Sequence, residues 1–200
     1  DTRKTIPGLR WLEKYAVRMG GGYNHRMNLS DAFLIKDNHL DILYRHGITL
    51  QDAISKARST APNLRIEVET RSLDEVKQAI QGGADIIMLP MFKTSAEVSA
   101  FLKNAGGNVK TCLLLETAQA LVRMDEIFSL KGIDEVHIGL NDLHLSMGLD
   151  FMFELLSGGI VEYICRKLAD KGIRYGFGGI AKMGDGLLPA EMILAEHVRL

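Results

Sequence analysis

Residues 64–89, LRIEVETRSLDEVKQAIQGGADIIML, contain the pattern that decides the fold of this chain. Two short apolar runs, 64–69 and 85–89, flank a segment that begins with Ser72 and ends in a pair of glycines. Ser72 followed three residues later by Glu75 is the signature of a helix N-terminus, and glycine commonly stands just past a helix C-terminus. The stretch therefore predicts a strand, a helix and a second strand.

The same alternation of strand and helix continues on both sides of this stretch. Nearly continuous apolar runs, typical of parallel strands that are buried on both faces, occur at residues 32–36, 109–115, 135–139 and 173–177. Amphipathic segments between the runs predict helices over residues 7–19, 50–59, 73–81, 95–104, 118–130, 159–171 and 188–198. The chain is therefore predicted to be an α/β protein with a parallel sheet.

Both an open doubly wound sheet and a (β/α)8 barrel satisfy this alternation. Polar residues follow nearly every predicted strand, which favours the barrel, because its site is built from loops at the carboxyl ends of all its strands. Six full strands are predicted rather than eight, and DTRKT at residues 1–5 is typical of the end of a further strand. We therefore predict a single TIM-type (β/α)8 barrel domain over residues 1–200, or a large part of one that lacks two strands.

Composition narrows the class of protein. A chain of 200 residues with 46% hydrophobic residues suits one domain, and a net charge of −1 gives no indication of nucleic acid or anionic membranes as partners. No apolar run approaches the roughly 20 residues of a membrane span. Cys112 and Cys165 lie in apolar segments and are predicted to be reduced core residues. We expect a cytoplasmic enzyme, and a homo-oligomer because exposed sheet edges promote association.

Basic side chains cluster in the first 40 residues, in loops or just past predicted strand ends. They are Arg3, Lys4, His25, Arg26 and Lys36. Arginine offers a planar fork for a carboxylate or phosphate and lysine a compact charge, whereas clustering like charges costs repulsion. Solvated surface charges paired with neighbouring aspartates remain an alternative. The cluster predicts a site for a small anionic substrate.

Two acidic residues, Glu116 and Asp142, each stand at the end of a predicted buried strand. Hard divalent cations such as Mg²⁺ prefer a few carboxylate oxygens together with water and substrate oxygens, so the pair predicts a metal site for Mg²⁺ or Mn²⁺. Each carboxylate could instead cap the following helix. Nearby, His137 is predicted to be a core residue rather than a ligand. His144 is predicted to lie in a loop, where a role in the site and a structural role both stay open.

The stretch DTRKTIPGLRWLEKYAVRMGGGYNHRMNLSDAFLIKDNHL, together with IEVETRSLDEV, resembles the barrel domain of the quinolinate phosphoribosyltransferase (nicotinate-nucleotide pyrophosphorylase, carboxylating) family. The resemblance covers residues 1–89 and implies a transferase of NAD biosynthesis. It implies that the substrate carboxylates and phosphates are bound by Arg3, His25, Arg26 and Lys36. It further implies catalytic roles for Lys4, close to the reacting centre, and for Glu69, near the metal and phosphoribosyl pyrophosphate.

The chain also departs from this family's pattern. The family's next strand ends in Leu-Asp-Asn, whereas here residues 89–91 are Leu-Pro-Met, so the acidic partner of Glu69 is absent. Gly178 and Gly179 resemble the family's glycine-rich phosphate loop, which implies phosphate binding there, but Phe177 replaces its serine.

Residues 84–200 are similar to the HpcH/HpaI aldolase and citrate lyase family through KTCLLLETAQAL, GIDEVHIGLNDLHLSMGLD and the segments that follow. This resemblance implies that Glu116 and Asp142 are metal ligands in a carbon–carbon lyase that acts on a 2-oxo acid. The two resemblances meet near residues 67–90, which predicts a chimera of two barrel proteins.

Three hypotheses about function follow from the sequence. The first is a quinolinate phosphoribosyltransferase-like barrel, placed first because its binding residues are the most numerous. The second is a metal-dependent aldolase or lyase of the HpcH/HpaI type. The third is a folded chimeric barrel without native activity.

Overall fold

The computed structural model describes residues 8–19, 21–179 and 188–200. Within these ranges six parallel strands form one curled sheet, half of a barrel, in which each strand pairs with the next along the chain. The strands are β1 (Ala32–Ile35), β2 (Arg65–Glu69), β3 (Ile86–Leu89), β4 (Lys110–Leu115), β5 (Glu135–Gly139) and β6 (Arg174–Gly178). The predicted α/β fold is therefore confirmed in the form of a partial TIM-like barrel.

Helices precede, connect and follow the strands, and most of them contribute buried side chains to the hydrophobic core. They are α1 (Arg10–Met19), α2 (Asp37–Arg45), α3 (Leu50–Thr60), α4 (Leu73–Gly82), α5 (Ser95–Ala105), α6 (Ala118–Val122), α7 (Met124–Ile127), α8 (Leu140–Met147), α9 (Glu154–Ser157), α10 (Ile160–Asp170) and α11 (Ala190–Arg199). The segment predicted as one helix over residues 118–130 forms two, which meet at Arg123. Helices α2, α8 and α9 were not predicted from the sequence. In the described part of the chain, no helix combines the length and apolar character needed to cross a membrane.

Side-chain caps explain where two of these helices begin. At α5, Thr94 Oγ1 accepts a hydrogen bond from the Glu97 backbone N–H at 3.3 Å, and the Glu97 carboxylate accepts one from the Thr94 N–H at 3.0 Å. At α4, Ser72 Oγ accepts from the Glu75 N–H at 3.2 Å, but the Glu75 carboxylate accepts from the Arg71 N–H instead. Of these two helices, α5 therefore has the complete reciprocal pair, and α4 has only the half in which the serine accepts.

The hydrophobic core lies between the outer face of the sheet and the helices. Ile66, Ile87 and Leu113 point outward into it and are fully buried. The concave face contains a small apolar cluster around Ile86 and Cys112, and its remaining positions are largely polar. Alternation along each strand thus separates a packed layer from a polar concave surface. The two cysteines are both buried and free, as predicted, and burial raises the pKa of each thiol.

The segment that joins α1 to β1, residues 21–31, crosses the concave face of the half-barrel. The Tyr23 ring lies 4.7 Å from the guanidinium carbon of Arg174 at the start of β6, and the His25 ring contacts β2. Lys14 of α1 is buried, and its Nζ donates hydrogen bonds to the backbone carbonyls of His25 and Arg26 at 3.0 and 2.9 Å. These contacts fix the segment inside the curve of the sheet.

Candidate functional site

The carboxyl ends of the strands bring residues from both halves of the chain to one rim of the half-barrel. Lys36 follows β1, Glu69 ends β2, Glu116 follows β4, and Asp142 lies in the first turn of α8 after β5. We call these four residues the mouth. The charges of the other three all act on the pKa of Glu116, so the four share one electrostatic environment. This geometry agrees with the prediction that residues following different strands meet at one rim of the sheet.

Lys36 and Glu69 form an ion pair across β1 and β2. The Nζ of Lys36 lies 2.9 Å from Oε1 of Glu69. The lysine side chain is 46% exposed and that of the glutamate 15% exposed, so solvent and small molecules reach the cation more easily than its partner. An incoming anion can therefore compete with Glu69 for Lys36.

Glu116 lies in a different electrostatic setting. Burial raises its pKa to about 7, and the nearby negative charges of Asp142 and Glu69 act in the same direction. A hydrogen bond from the Met91 backbone N–H to Oε2, at 3.3 Å, and the charge of Lys36 oppose the shift without cancelling it. A carboxylate in such surroundings is stabilised by any additional cation.

The backbone around Glu116 is shaped to receive its side chain. Met91 adopts a left-handed conformation with φ of 53°, uncommon for a residue with a side chain, and directs its N–H to the carboxylate. A Cβ atom added to Gly139 would lie 2.7 Å from Cγ of Glu116, so only glycine leaves room there. Thr117 anchors the loop, since its hydroxyl donates to the Phe92 carbonyl at 2.6 Å.

The predicted metal pair satisfies part of what a divalent cation needs. Among the described residues, no group of three or more His, Cys, Asp or Glu side chains is arranged to hold a metal ion. Mg²⁺ is usually held by one or two carboxylates and completes its octahedron with water and substrate oxygens. Glu116 and Asp142 fit that minimal arrangement, although Asp142 is exposed in the first turn of α8 rather than at the end of a strand. Metal binding remains a prediction.

A buried carboxylate that the sequence did not single out lies on the concave face. Glu67 is only 3% exposed, and its Oε2 lies 2.7 Å from Nε2 of His25. Its Oε1 lies 2.6 Å from Nε of Arg65. Burial alone would raise the pKa of Glu67, but the hydrogen bond and charge of His25 and the charge of Arg65 hold it below its usual value. The sequence contains one indication of this residue, since Glu67 stands two positions before Glu69 and therefore lies on the same face of the strand.

Three further predicted binding residues have packing contacts. Arg26 Nη1 donates to the carbonyl of Ala32 at 3.1 Å, at the start of β1. A Cβ atom on Gly178 would lie 2.8 Å from Nε2 of His137, and Gly179 has φ of 144°. The two glycines thus permit close packing at the end of β6, and a phosphate role for them remains a prediction.

The two histidines near Asp142 are placed differently from each other. His137 lies on the concave face, and burial lowers its pKa to about 4, so its ring is neutral. His144 is buried in α8, where a ring nitrogen lies 3.2 Å from the carbonyl of Leu140. The helix removes His144 from the loop in which it was predicted and gives it a structural contact.

Two predicted site residues, Arg3 and Lys4, lie outside the described residues. Among the others, the structure brings together Lys36, Glu69, Glu116 and Asp142 at the mouth. His25 lies on the concave face beside β2 rather than in the Lys36–Glu69 pair.

Comparisons with known proteins identify sequence relatives along most of the chain. The family model described as quinolinate phosphoribosyl transferase, C-terminal domain, matches residues 1–154. The probable nicotinate-nucleotide pyrophosphorylase (carboxylating) of Bacillus subtilis is 39% identical over 168 residues, which cover 82% of this chain and 55% of that protein. The chain thus spans about half the length of the curated relatives it matches.

Solved structures give similarities of two kinds. NadC from Streptococcus pyogenes is 40% identical with a TM-score of 0.55, over 68% of this chain and 45% of that one. The HpcH/HpaI aldolase from Desulfitobacterium hafniense has a TM-score of 0.64 and covers 97% of this chain and 80% of its own, at 16% identity. The second similarity concerns the fold alone.

The match to the transferase family also bears on the predicted chimera. It continues to residue 154, past the stretch 1–89 on which the resemblance was based and into the region similar to aldolases. The crossover near residues 67–90 remains a prediction.

Proposed function

Because the chain belongs to the quinolinate phosphoribosyltransferase family, we propose that its mouth binds a pyridine dicarboxylate and a phosphoribosyl donor, as in a transferase of NAD biosynthesis. The observation that carries the proposal is the half-exposed Lys36, held 2.9 Å from Glu69 at the rim that also contains Glu116. The proposed protein is a cytoplasmic homo-oligomer with a small anionic substrate.

Each part of the proposed site has a chemical role. A carboxylate of the substrate replaces Glu69 as the partner of Lys36, and Glu69 would then be free to face the ribosyl group and a metal bound with it. The family resemblance assigns Lys4 a role at the reacting centre, and we propose that Arg3 and Arg26 add positive charge for carboxylates and phosphates. In the reaction a bond forms between the pyridine nitrogen and the ribosyl carbon while the bond from that carbon to pyrophosphate breaks. The carboxylate next to the ring nitrogen then leaves as CO₂, and the ring carbon that carried it takes up a proton.

The proposal is tested with quinolinate and phosphoribosyl pyrophosphate. We expect quinolinate to raise the melting temperature of the protein and the complete mixture to yield nicotinate mononucleotide. Lys36→Ala should abolish both effects, whereas Lys103→Ala, which removes an exposed lysine of α5 away from the mouth, should leave them intact. A wild-type protein that responds to neither compound would contradict the proposal.

A second candidate function rests on Glu116. Its raised pKa and its neighbour Asp142 favour binding of a cation, which supports a metal-dependent lyase of the HpcH/HpaI type that acts on a 2-oxo acid. A divalent metal bound there would supply Lewis-acid polarisation of the substrate. Residues Glu116 and Asp142 would hold it, with water and substrate oxygens in the remaining positions.

The metal hypothesis has its own test. At pH 8, millimolar Mg²⁺ or Mn²⁺ should raise the melting temperature by a few degrees if it binds the folded state. Glu116→Gln and Asp142→Asn should each remove this rise, whereas Asp170→Asn, on the exposed side of α10, should not. Absence of any response to metal, quinolinate or 2-oxo acid would support the third hypothesis, a folded barrel without native activity.

A further inference from the structure

Helix α1 carries its polar and apolar side chains in the reverse of the usual arrangement. Of its residues only Lys14 is buried, and the ammonium group donates to two backbone carbonyls of the segment that follows. Arg10, one turn earlier, donates from Nη1 to the Met27 carbonyl at 3.0 Å. A surface helix normally turns its apolar residues to the core and its charged residues to solvent. Arg10 and Lys14 thus attach α1 to the protein, and its apolar residues face outward.

The outward side of α1 is an apolar stripe. Its members are Trp11, Leu12, Tyr15 and Met19, and all four are exposed. Trp11 is 77% exposed and Tyr15 is 53% exposed, although aromatic side chains have large apolar areas to bury. Residues three and four apart share one face of a helix, so the four form a continuous surface about 15 Å long. Contiguous apolar patches on the surface of a protein mark interaction sites.

The α1 stripe is symmetric about Tyr15. Trp11 stands one turn before it and Met19 one turn after it. Two copies of α1 that pack antiparallel around a two-fold axis at Tyr15 therefore place this residue against its own copy. The same axis places Trp11 and Leu12 of one copy against Met19 of the other. Each apolar member of the stripe thus meets an apolar partner.

The one exposed cation of α1 also fits this arrangement. Arg18 lies on the same flank of the helix as Trp11, two turns apart. In the antiparallel pair its guanidinium comes to lie beside the Trp11 ring of the second copy, which is the arrangement of a cation–π contact. Aromatic, methionine and arginine side chains are enriched at the centres of protein–protein interfaces. The composition of the stripe is therefore that of a protein contact.

A lipid surface fits the α1 stripe less well. Helices that lie on membranes use Lys and Arg to attract anionic headgroups. Arg10 and Lys14 donate instead to the carbonyls of residues 25–27 and face the protein. The net charge of −1 adds no attraction to an anionic surface. A second copy of this chain is the occupant that the observations favour.

We propose that the α1 stripe is a two-fold interface between two copies of this chain, in which the α1 helices pack antiparallel and meet at Tyr15. This names the surface of the homo-oligomer in the proposed function, and it requires neither the substrate nor a metal. A contact made by one helix of about 15 Å belongs to the smallest class of specific interfaces, which bury less than about 1,200 Å². The association is accordingly weak and depends on protein concentration.

The test uses the whole chain without ligand. Sedimentation velocity measures the fraction of dimer over a series of protein concentrations. Trp11 is the only tryptophan of the sequence, so its fluorescence reports on the stripe alone. We expect the dimer fraction to rise with concentration and the emission maximum to move to shorter wavelength in parallel, because Trp11 leaves water. This wild-type measurement decides the matter even if a variant does not fold.

Charge substitutions at the two-fold axis test the geometry. Tyr15→Glu and Tyr15→Lys each place two like charges against each other and should weaken dimerisation at least tenfold. An equimolar mixture of the two variants should restore it, since a glutamate then faces a lysine. The matched control is Tyr163→Glu, which replaces a tyrosine of α10 that is 50% exposed and should leave the dimer intact.

Four other outcomes would each overturn the proposal. A wild type that stays monomeric excludes both the interface and the proposed homo-oligomer, whereas the quinolinate and metal tests are unaffected. Dimers that persist in Tyr15→Glu, or that dissociate equally in Tyr163→Glu, leave the homo-oligomer but place its interface elsewhere. Weakening that the mixture does not reverse excludes the two-fold arrangement. Emission that shifts with vesicles of phosphatidylcholine and phosphatidylserine, but not with protein concentration, assigns the stripe to a membrane surface.

Discussion

The same dipeptide, Glu-Thr, stands at the ends of two strands of this sheet, as Glu69-Thr70 after β2 and as Glu116-Thr117 after β4. Both threonines are buried, at 0% and 1% exposure, and both hydroxyls donate to a backbone carbonyl at or just past β3. The two sites are therefore built alike by the local sequence, and each glutamate is directed to the same rim.

Their charges nevertheless differ. Glu69 has the ammonium group of Lys36 at 2.9 Å, whereas burial and the negative charges of Asp142 and Glu69 raise the pKa of Glu116 to about 7. The difference comes from residues on other strands and not from the dipeptide. One end of the rim is neutralised within the protein, and the other would gain most from an external cation.

The largest effect is expected for Thr117→Val, a substitution that tests whether the two threonines contribute equally to stability. Thr117→Val removes the cap of α6, where Oγ1 accepts from Ala120 N–H at 3.1 Å, and also removes the donor to the buried Phe92 carbonyl. We expect a loss of about 2–3 kcal/mol in the free energy of unfolding, measured by urea denaturation.

Thr70→Val is the matched variant and should cost only about 1 kcal/mol. Its acceptor, the Met88 carbonyl, keeps the hydrogen bond from the Thr70 backbone N–H at 2.9 Å when the hydroxyl is removed. Equal losses in the two variants, or the reverse order, would show that the two strand ends are not stabilised as described.

The next effect concerns the charge of Glu116. Because its pKa in the folded state, about 7, lies above the ordinary value of 4.5, the unfolded chain releases this proton at lower pH. The stability of the wild type should therefore decrease as pH rises from about 4.5 to about 7 through this group. Glu116→Gln removes the titration and should be more stable than wild type at pH 8 by about 1–2 kcal/mol, after allowance for partial exposure.

Glu69→Gln serves as the comparison for that experiment. It breaks the pair with Lys36 and should give no gain at pH 8. Urea denaturation of both variants between pH 4 and pH 8 measures the two slopes. A wild-type stability that rises through this window, with no change in slope for Glu116→Gln, would contradict the raised pKa.

The smallest expected effect is that of Lys36→Met. The Lys36–Glu69 pair is half-exposed, and such pairs contribute about 0–0.5 kcal/mol to stability, so the unfolding free energy should hardly change. The positive charge also opposes the raised pKa of Glu116, so its removal should raise that pKa further and displace the Glu116 transition to higher pH. A stability loss above about 1.5 kcal/mol would instead give Lys36 a structural role.

The sheet was the part of the fold that the sequence predicted best. The run 135–139 was predicted and is observed as β5 with the same limits, because Val136 and Ile138 alternate with more polar positions and are buried on one face of the strand. Helices were predicted less completely. The start of α8 contains Asp142, which was interpreted as a metal ligand at the end of a strand rather than as part of the first turn of a helix.

The candidate site was predicted in position but not in its contacts. Residues that follow strands had to meet at one rim, so the mouth was foreseeable from the order of the elements. The partners of Glu67 could not be foreseen, because His25 is 42 positions away in sequence and reaches it only when residues 21–31 cross the concave face. The close packing of Gly178 against His137 also depends on the pairing of β5 with β6.

The sequence by itself determined the alternation of strands and helices, their order in a parallel sheet, and the edge where polar side chains collect, because period and capping are local properties of the chain. The tertiary structure decided which of those side chains are neutralised. Ionisation depends on burial and on charges a few ångströms away, and the neighbours of Glu69 and Glu116 come from separate strands.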